Sequence, residues 1–136
     1  QHVLEPLSGY LQLGRNIGNA NLKSGEAYNF GPPASQNFSV EDLINEMSIH
    51  WDKVKWKHDL INNNDYEAKL LKLNCDKALS ELKWEPTLNF KETVNLTINW
   101  YKQYYNYSNE SMYQYSIDQI KYYTEIASDR NMSWTN

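Results

Sequence analysis

With 136 residues, 40% of them hydrophobic and 22% charged, the chain has the size and composition of one globular domain able to bury a core. Its formal net charge of −4, from 17 acids against 13 lysines and arginines, argues against nucleic acid as a partner, because phosphates are met by a basic face. No apolar run approaches the roughly 20 residues that span a bilayer, no basic segment leads into an apolar leader, and the scattered lysines form no membrane patch; a soluble, cytoplasmic protein without membrane contact is expected.

Val3, Leu4, Leu7 and Leu11 recur at helical spacing, with Glu5 and Pro6 in a first turn that tolerates both, and Gly14 and Gly18 bracket the end of this helix. After a polar loop over 19–25, Glu26–Phe30 reads as a short buried strand closed by Gly31-Pro32-Pro33. Ser39, with Asp42 three residues on, forms a capping box for a helix whose apolar stripe is Val40, Leu43, Ile44, Met47 and Trp51. Val54–Lys57 is a second expected strand, His58–Asn64 an Asn-rich loop, and Tyr66–Leu73 a third strand. Asp76 stands just before a short helix carrying Ala78, Leu79 and Leu82, which stops at Lys83-Trp84-Glu85-Pro86. Asn89 caps the longest helix, with Phe90, Val94, Ile98, Tyr101 and Tyr105 on one face. Ser116 and Asp118 open a last helix with Ile117, Ile120 and Tyr123, and 129–136 shows no pattern and is expected to fray. The fold class read from this order is a mixed, helix-rich α/β domain over 1–128. Its strands are too few for a self-sufficient sheet and read as additions to a sheet begun elsewhere. Gln rather than Met stands first, which suggests a fragment or a processed chain.

Little chemistry is visible. Cys75 is the lone cysteine, so no intrachain disulfide or thiolate metal site is available, and a buried structural thiol in a reducing compartment is expected. His2, His50 and His58 lack ligand spacing, so no metal is expected. Asn-x-Ser/Thr triplets begin at Asn37, Asn95, Asn106, Asn109 and Asn131, as chance allows in so Asn-rich a sequence, and are not read as glycosylated. There is no nucleophile elbow, no phosphate loop and no dinucleotide glycine fingerprint, and the 11 Tyr and 5 Trp sit largely on helix stripes, where core packing accounts for them. No catalytic residue is assigned. Read from its residues alone, the chain is a binding module.

Two stretches carry a resemblance. Gln1-His-Val-Leu-Glu-Pro-Leu-Ser-Gly-Tyr-Leu11 resembles the segment that follows an Arg-Pro-Trp in the CDP-glucose 4,6-dehydratases, members of the extended short-chain dehydrogenase/reductase family. Glu67-Ala68, Leu71-Lys72-Leu73, Cys75-x-Lys77-Ala78, Leu82-x-Trp84-x-Pro86 and Asn99-Trp100-Tyr101 are similar to that family's C-terminal substrate lobe, as are Tyr28-Asn-Phe-Gly31 and Tyr115-Ser-Ile117 with Ile120. The resemblance implies the substrate-binding lobe of an enzyme that converts CDP-glucose to its 4-keto-6-deoxy form. The implied NAD would be bound by a missing N-terminal Rossmann domain, and the implied full-length enzyme is a homo-oligomer. The isolated chain would be inactive.

The same resemblance implies a substrate site of Glu67, Asn64, Tyr66, Gln1 and His2. Glu67 would accept hydrogen bonds from the nucleotide ribose, since a carboxylate can take two vicinal hydroxyls. Asn64 stands where related epimerases carry a pyrophosphate-binding Arg, and can donate without supplying charge; a further phosphate-binding Arg is expected just before Gln1. Tyr66 would cover the nucleotide, and Gln1 and His2 would line the site. Two departures touch local stability: Asn74 replaces an Asp at a helix cap, and Lys83 replaces a Gly, costing on the order of 1 kcal/mol if its backbone is left-handed. Another extended family member, such as a dTDP- or GDP-sugar dehydratase or an epimerase, and a non-catalytic binding or assembly domain remain the alternatives.

Overall fold

Four of the five helices begin within a residue or two of the expected signals. The computed structural model describes residues 1–19, 22, 25–57, 72–107 and 112–135. They form α1 (Leu4–Gly18), α2 (Val40–His50), α3 (Asp76–Leu82), α4 (Phe90–Asn106) and α5 (Met112–Asp129), followed by a 3-10 turn at Ser133–Thr135. Both capping boxes are present. Ser39 Oγ accepts from Asp42 N at 3.1 Å while Asp42 returns a bond to Ser39 N at 2.8 Å; Asn89 and Glu92 do the same for α4 at 3.0 and 2.8 Å. Asn74 Oδ1 accepts from Asp76 N at 2.9 Å, so the neutral cap does serve α3. α5 starts one turn before Ser116, whose hydroxyl donates back to Met112 O at 2.8 Å instead of capping.

α2 packs on α4, α4 on α5 and α1 on α3, and the last turn folds onto α5. One buried cluster holds Phe30, Ala78, Leu82 and Trp84; the other holds Leu88, Leu96 and Tyr123; Trp134 packs against both. Residues 129–135, in the tail expected to fray, are instead held in place. Asn131 takes a left-handed conformation (φ 54°), Met132 N donates to Ala127 O at 2.9 Å, Met132 is buried, and Trp134 stacks on Tyr123 at 5.5 Å.

The helix-rich expectation holds, but the described residues contain no strand. Glu26–Phe30 is irregular, and among the described residues no neighbouring backbone offers it a ladder. Its polar groups go elsewhere: Gln1 Nε2 donates to Phe30 O at 3.1 Å and Asn29 Nδ2 to Asn74 O at 3.1 Å, while Lys77 pairs with Glu26. Val54–Lys57 is likewise irregular, entered by a turn in which Val54 N donates to Trp51 O. The third expected strand falls mostly on residues outside those described.

α1 is turned over relative to its apolar stripe. Of the stripe's four residues only Leu4 packs on a core cluster, that of Leu88, Leu96 and Tyr123; Val3, Leu7 and Leu11 are 62%, 45% and 77% exposed, whereas Glu5, Ser8, Gly9 and Gln12 are buried. The reason lies in the 82–88 segment, whose backbone groups need partners. Gln12 Nε2 donates to Leu82 O at 3.0 Å, and Glu5 accepts from Thr87 N at 2.9 Å and Leu88 N at 2.7 Å. Ser8 Oγ accepts the Trp84 indole N–H at 3.0 Å and donates to Glu5 O at 2.8 Å. Gly9 lets the Phe30 ring lie against the helix. Lys83 is left-handed (φ 55°, ψ 27°), and Trp84 N closes the end of α3 on Ala78 O at 3.2 Å. That conformation costs a non-glycine residue about 1 kcal/mol; burial of Trp84, at 1% exposure, offsets it.

Candidate functional site

Gln1 and His2 are set by the first turn of α1. His2 is buried; its Nδ1 accepts from Leu4 N at 3.3 Å and its carbonyl from Glu5 N at 3.1 Å. An acceptor Nδ1 requires the neutral ring, and burial pushes the imidazole pKa below its ordinary value, in agreement. Gln1 spends its amide on Phe30 O and so holds the 26–30 segment against the helix start.

Two hollows meet at Gln1. One, of about 340 Å³, is bounded by His2, Thr97, Trp100, Ser116 and Gln119. Its polar side chains are committed inward: Trp100 Nε1 donates to Ser116 Oγ at 3.0 Å and Gln119 Nε2 to Leu96 O at 2.8 Å. Its wall is mostly apolar, and it offers a ligand few directional contacts.

The other hollow, of about 290 Å³, is bounded by Gln1, Gln36, Phe38, Lys72, Leu88 and Phe90, with Glu5 in its wall. Phe38 and Phe90 stack with centroids 3.8 Å apart and planes 13° from parallel. Pro32 and Pro33 end the 26–30 segment, and Gln36 N donates to Pro33 O at 2.9 Å, which turns the loop toward the Ser39 cap. Lys72 Nζ donates to Ala34 O at 2.7 Å and brings a cation to this side. Glu5 is 1% exposed and held by Thr87, Leu88 and the Tyr123 hydroxyl, at 3.0 Å. Burial raises its carboxyl pKa above the ordinary value against those three donors, and burial pushes the Tyr123 phenol up to about 12. Glu5 is thus a structural acid with its oxygens already taken.

Of the expected site residues, Gln1 and His2 both border the first hollow and Gln1 reaches the second. Asn64, Tyr66 and Glu67 lie outside the described residues. Gln36, Phe38 and Lys72 were not singled out from the sequence; the available signal was an aromatic residue in a polar loop immediately before a helix cap. Among the described residues no three His, Cys, Asp or Glu side chains converge as a metal site, and no helix is long and apolar enough to cross a membrane. Cys75 is half-buried, and burial raises its thiol pKa, which disfavours the reactive thiolate.

Over 103 residues, 75% of its length, the chain is 38% identical to the CDP-glucose 4,6-dehydratase of Salmonella typhimurium. The resemblance carried by the residues quoted above is thereby borne out. The match spans 28% of that protein's length. No family model matches the chain.

Proposed function

We propose that this chain is the substrate-side part of a CDP-glucose 4,6-dehydratase, a lyase of the extended short-chain dehydrogenase/reductase type, acting within a longer cytoplasmic, homo-oligomeric enzyme. The observation that carries the reading is the 38% identity over 103 residues to a protein of that name. The hollow beside Gln1, walled by aromatic and carboxamide side chains with one lysine, supports it as a place where part of a nucleotide sugar could be held. The uncovered face of α1 supports a chain that works packed against another domain.

In this reading the enzyme oxidises the sugar at C4, removes water across C5 and C6, and returns the hydride to C6. NAD supplies the hydride chemistry when bound. The described residues do not fit that cofactor: the residues opening α1 to α4 are Val3, Ser39, Cys75 and Asn89, with no glycine-rich turn among them. No redox step is therefore assigned to this chain. Its part is to bind and orient. Glu67 receives the ribose hydroxyls, Asn64 donates toward the diphosphate, Tyr66 covers the nucleotide, and Gln1 and His2 fix the rim. Lys72, five residues after Glu67, stands at the hollow that Gln1 also borders.

The test uses the full-length protein containing this chain, incubated with NAD and with CDP-, UDP-, dTDP- or GDP-glucose. Loss of one water from CDP-glucose, followed by mass spectrometry, is the expected outcome. Preference for another nucleotide would move the chain to a different extended family member. Absence of turnover with all four would leave a binding or assembly domain.

A further inference from the structure

We infer that the surface formed by the 51–57 segment and the C-terminal end of α4 docks on the headgroup region of a bilayer rich in anionic lipid. The inference goes beyond the proposed reaction and does not depend on which nucleotide sugar is used. It concerns where the protein sits while it works.

Aromatic rings from two segments meet there. Trp51, the residue that closes α2, stacks on Tyr105 with centroids 5.9 Å apart, and Trp100 stacks on Tyr104 at 5.7 Å. Tyr104 meets Tyr105 edge-on at 5.2 Å and so joins the two pairs. Tyr104 and Tyr105 are nonetheless 49% and 64% exposed, and Tyr101 and Tyr107 on the same helix end are exposed as well. Rings tied together in this way are held in place, yet so much aromatic surface left in water forgoes burial energy. A contiguous exposed patch of this kind marks a contact with a protein or with a membrane.

Charge decides between the two. The 51–57 segment, Trp-Asp-Lys-Val-Lys-Trp-Lys, holds three lysines against one aspartate in a chain whose formal net charge is −4, and all three lysines are exposed. Lys53 Nζ lies 6.0 Å from the centre of the Trp51 ring and donates to Asn106 Oδ1 at 3.4 Å, which ties the segment to the end of α4. Lys102, from α4, donates to His50 O at 3.2 Å and adds a further ammonium at the same join. Lysine is depleted from the cores of protein interfaces. Tyrosine and tryptophan beside lysine is instead the composition of the membrane–water boundary, where amphipathic rings sit among headgroups and ammonium groups meet anionic lipid. A single strand of nucleic acid would need open ring faces, and here Trp51, Tyr105, Trp100 and Tyr104 spend faces on one another. Along the sequence the lysines form no run. Folding sets Lys53 and Lys102 beside the rings, which is why spacing alone led to the expectation of no membrane contact.

The experiment floats the full-length protein containing this chain with vesicles of phosphatidylcholine, alone or with about one third phosphatidylglycerol. Wild type is compared with Lys53→Gln/Lys55→Gln/Lys57→Gln, with Tyr104→Ala/Tyr105→Ala, and with Lys91→Gln at the other end of α4 as control. A Lys55→Gln/Lys57→Gln double keeps the Lys53–Asn106 bond and hence the local fold. Wild type should bind the anionic vesicles and not the neutral ones, and binding should fall at least about tenfold as salt rises from about 0.1 M to about 1 M. At about 1 kcal/mol per lysine, the double should bind roughly tenfold less and the triple roughly a hundredfold less. The tyrosine pair should bind roughly tenfold less through lost apolar contact, and Lys91→Gln should match wild type. Equal binding of wild type to both vesicle types, binding to neither, or a lysine double and triple within about twofold of wild type overturns the inference. So does a change of oligomeric state in the tyrosine pair while wild type ignores vesicles, which would make the patch a subunit contact. Preference of wild type for a single-stranded oligonucleotide over anionic vesicles overturns it equally.

Discussion

Replacing Glu5 tests the internal architecture most directly. Its two carboxylate oxygens serve Thr87 N, Leu88 N and the Tyr123 hydroxyl in a place with 1% exposure. Glu5→Gln keeps one acceptor oxygen but turns an amide N–H₂ toward a second buried backbone donor. With about 1.5–3 kcal/mol for a hydrogen bond to a charged acceptor, the expected loss is about 2–3 kcal/mol. Glu5→Ala strands both backbone donors and should cost about 3–5 kcal/mol, a large part of the 5–15 typical of a whole domain. Urea unfolding of the chain followed by tryptophan fluorescence measures both, with exposed Glu41→Gln as the control. The pH profile adds a sign. Burial raises the folded pKa of Glu5 above its unfolded value of 4.5, so the native state takes up the proton at a higher pH than the unfolded chain does. Its contribution is full below 4.5 and is lost as pH rises through the folded pKa; Glu5→Gln should abolish that slope. A loss under about 1 kcal/mol for Glu5→Ala would show that the 87–88 amides find other partners and would refute the argument.

Two other perturbations follow from the same packing. Gly9→Ala places a methyl 2.6 Å from Phe30 Cε1 and 2.7 Å from Cγ; the ring is trapped between Gly9 and Trp84, so about 1–3 kcal/mol of destabilisation is expected in the same unfolding assay, and a neutral result would show that the ring moves freely. Arg130 holds Glu92 in a two-bond pair, at 2.6 and 2.9 Å, and keeps its carboxyl below the ordinary range. That stability is present above the unfolded value of 4.5 and is lost as pH falls through the folded pKa, the reverse of Glu5. Because the pair is partly exposed, Arg130→Ala should lose only about 1 kcal/mol near neutrality, and the urea midpoints of variant and wild type should converge in acid.

Helix ends were legible in the sequence because caps are local chemistry. Ser39 with Asp42 declares itself at fixed spacing, Asn89 reads as a cap by its residue type while its reciprocal partner Glu92 comes from the structure, and Lys83 in a left-handed conformation stands where a glycine would be expected. The orientation of α1 was not legible. Periodicity located its apolar side at Val3, Leu4, Leu7 and Leu11, of which only Leu4 meets a core cluster; what decides the buried side is the backbone of residues 82–88, far along the chain, which Gln12 and Glu5 pair. Glu26–Phe30 and Val54–Lys57 have strand composition, but among the described residues they meet no neighbouring ladder that would make a strand. At the site, a resemblance pointed to Gln1 and His2, whereas the Phe38–Phe90 stack joins two segments that no spacing rule connects.

The buried acid also has a temporal consequence. Leu88 comes 83 residues after Glu5 and Tyr123 comes 118 after it. At about 5–20 residues per second of synthesis, roughly 6–24 s pass between the emergence of α1 and that of its last partner. A 15-residue helix is marginal by itself in water. On the ribosome this helix therefore waits as a fluctuating, greasy segment, and its consolidation belongs to the closing moments of folding.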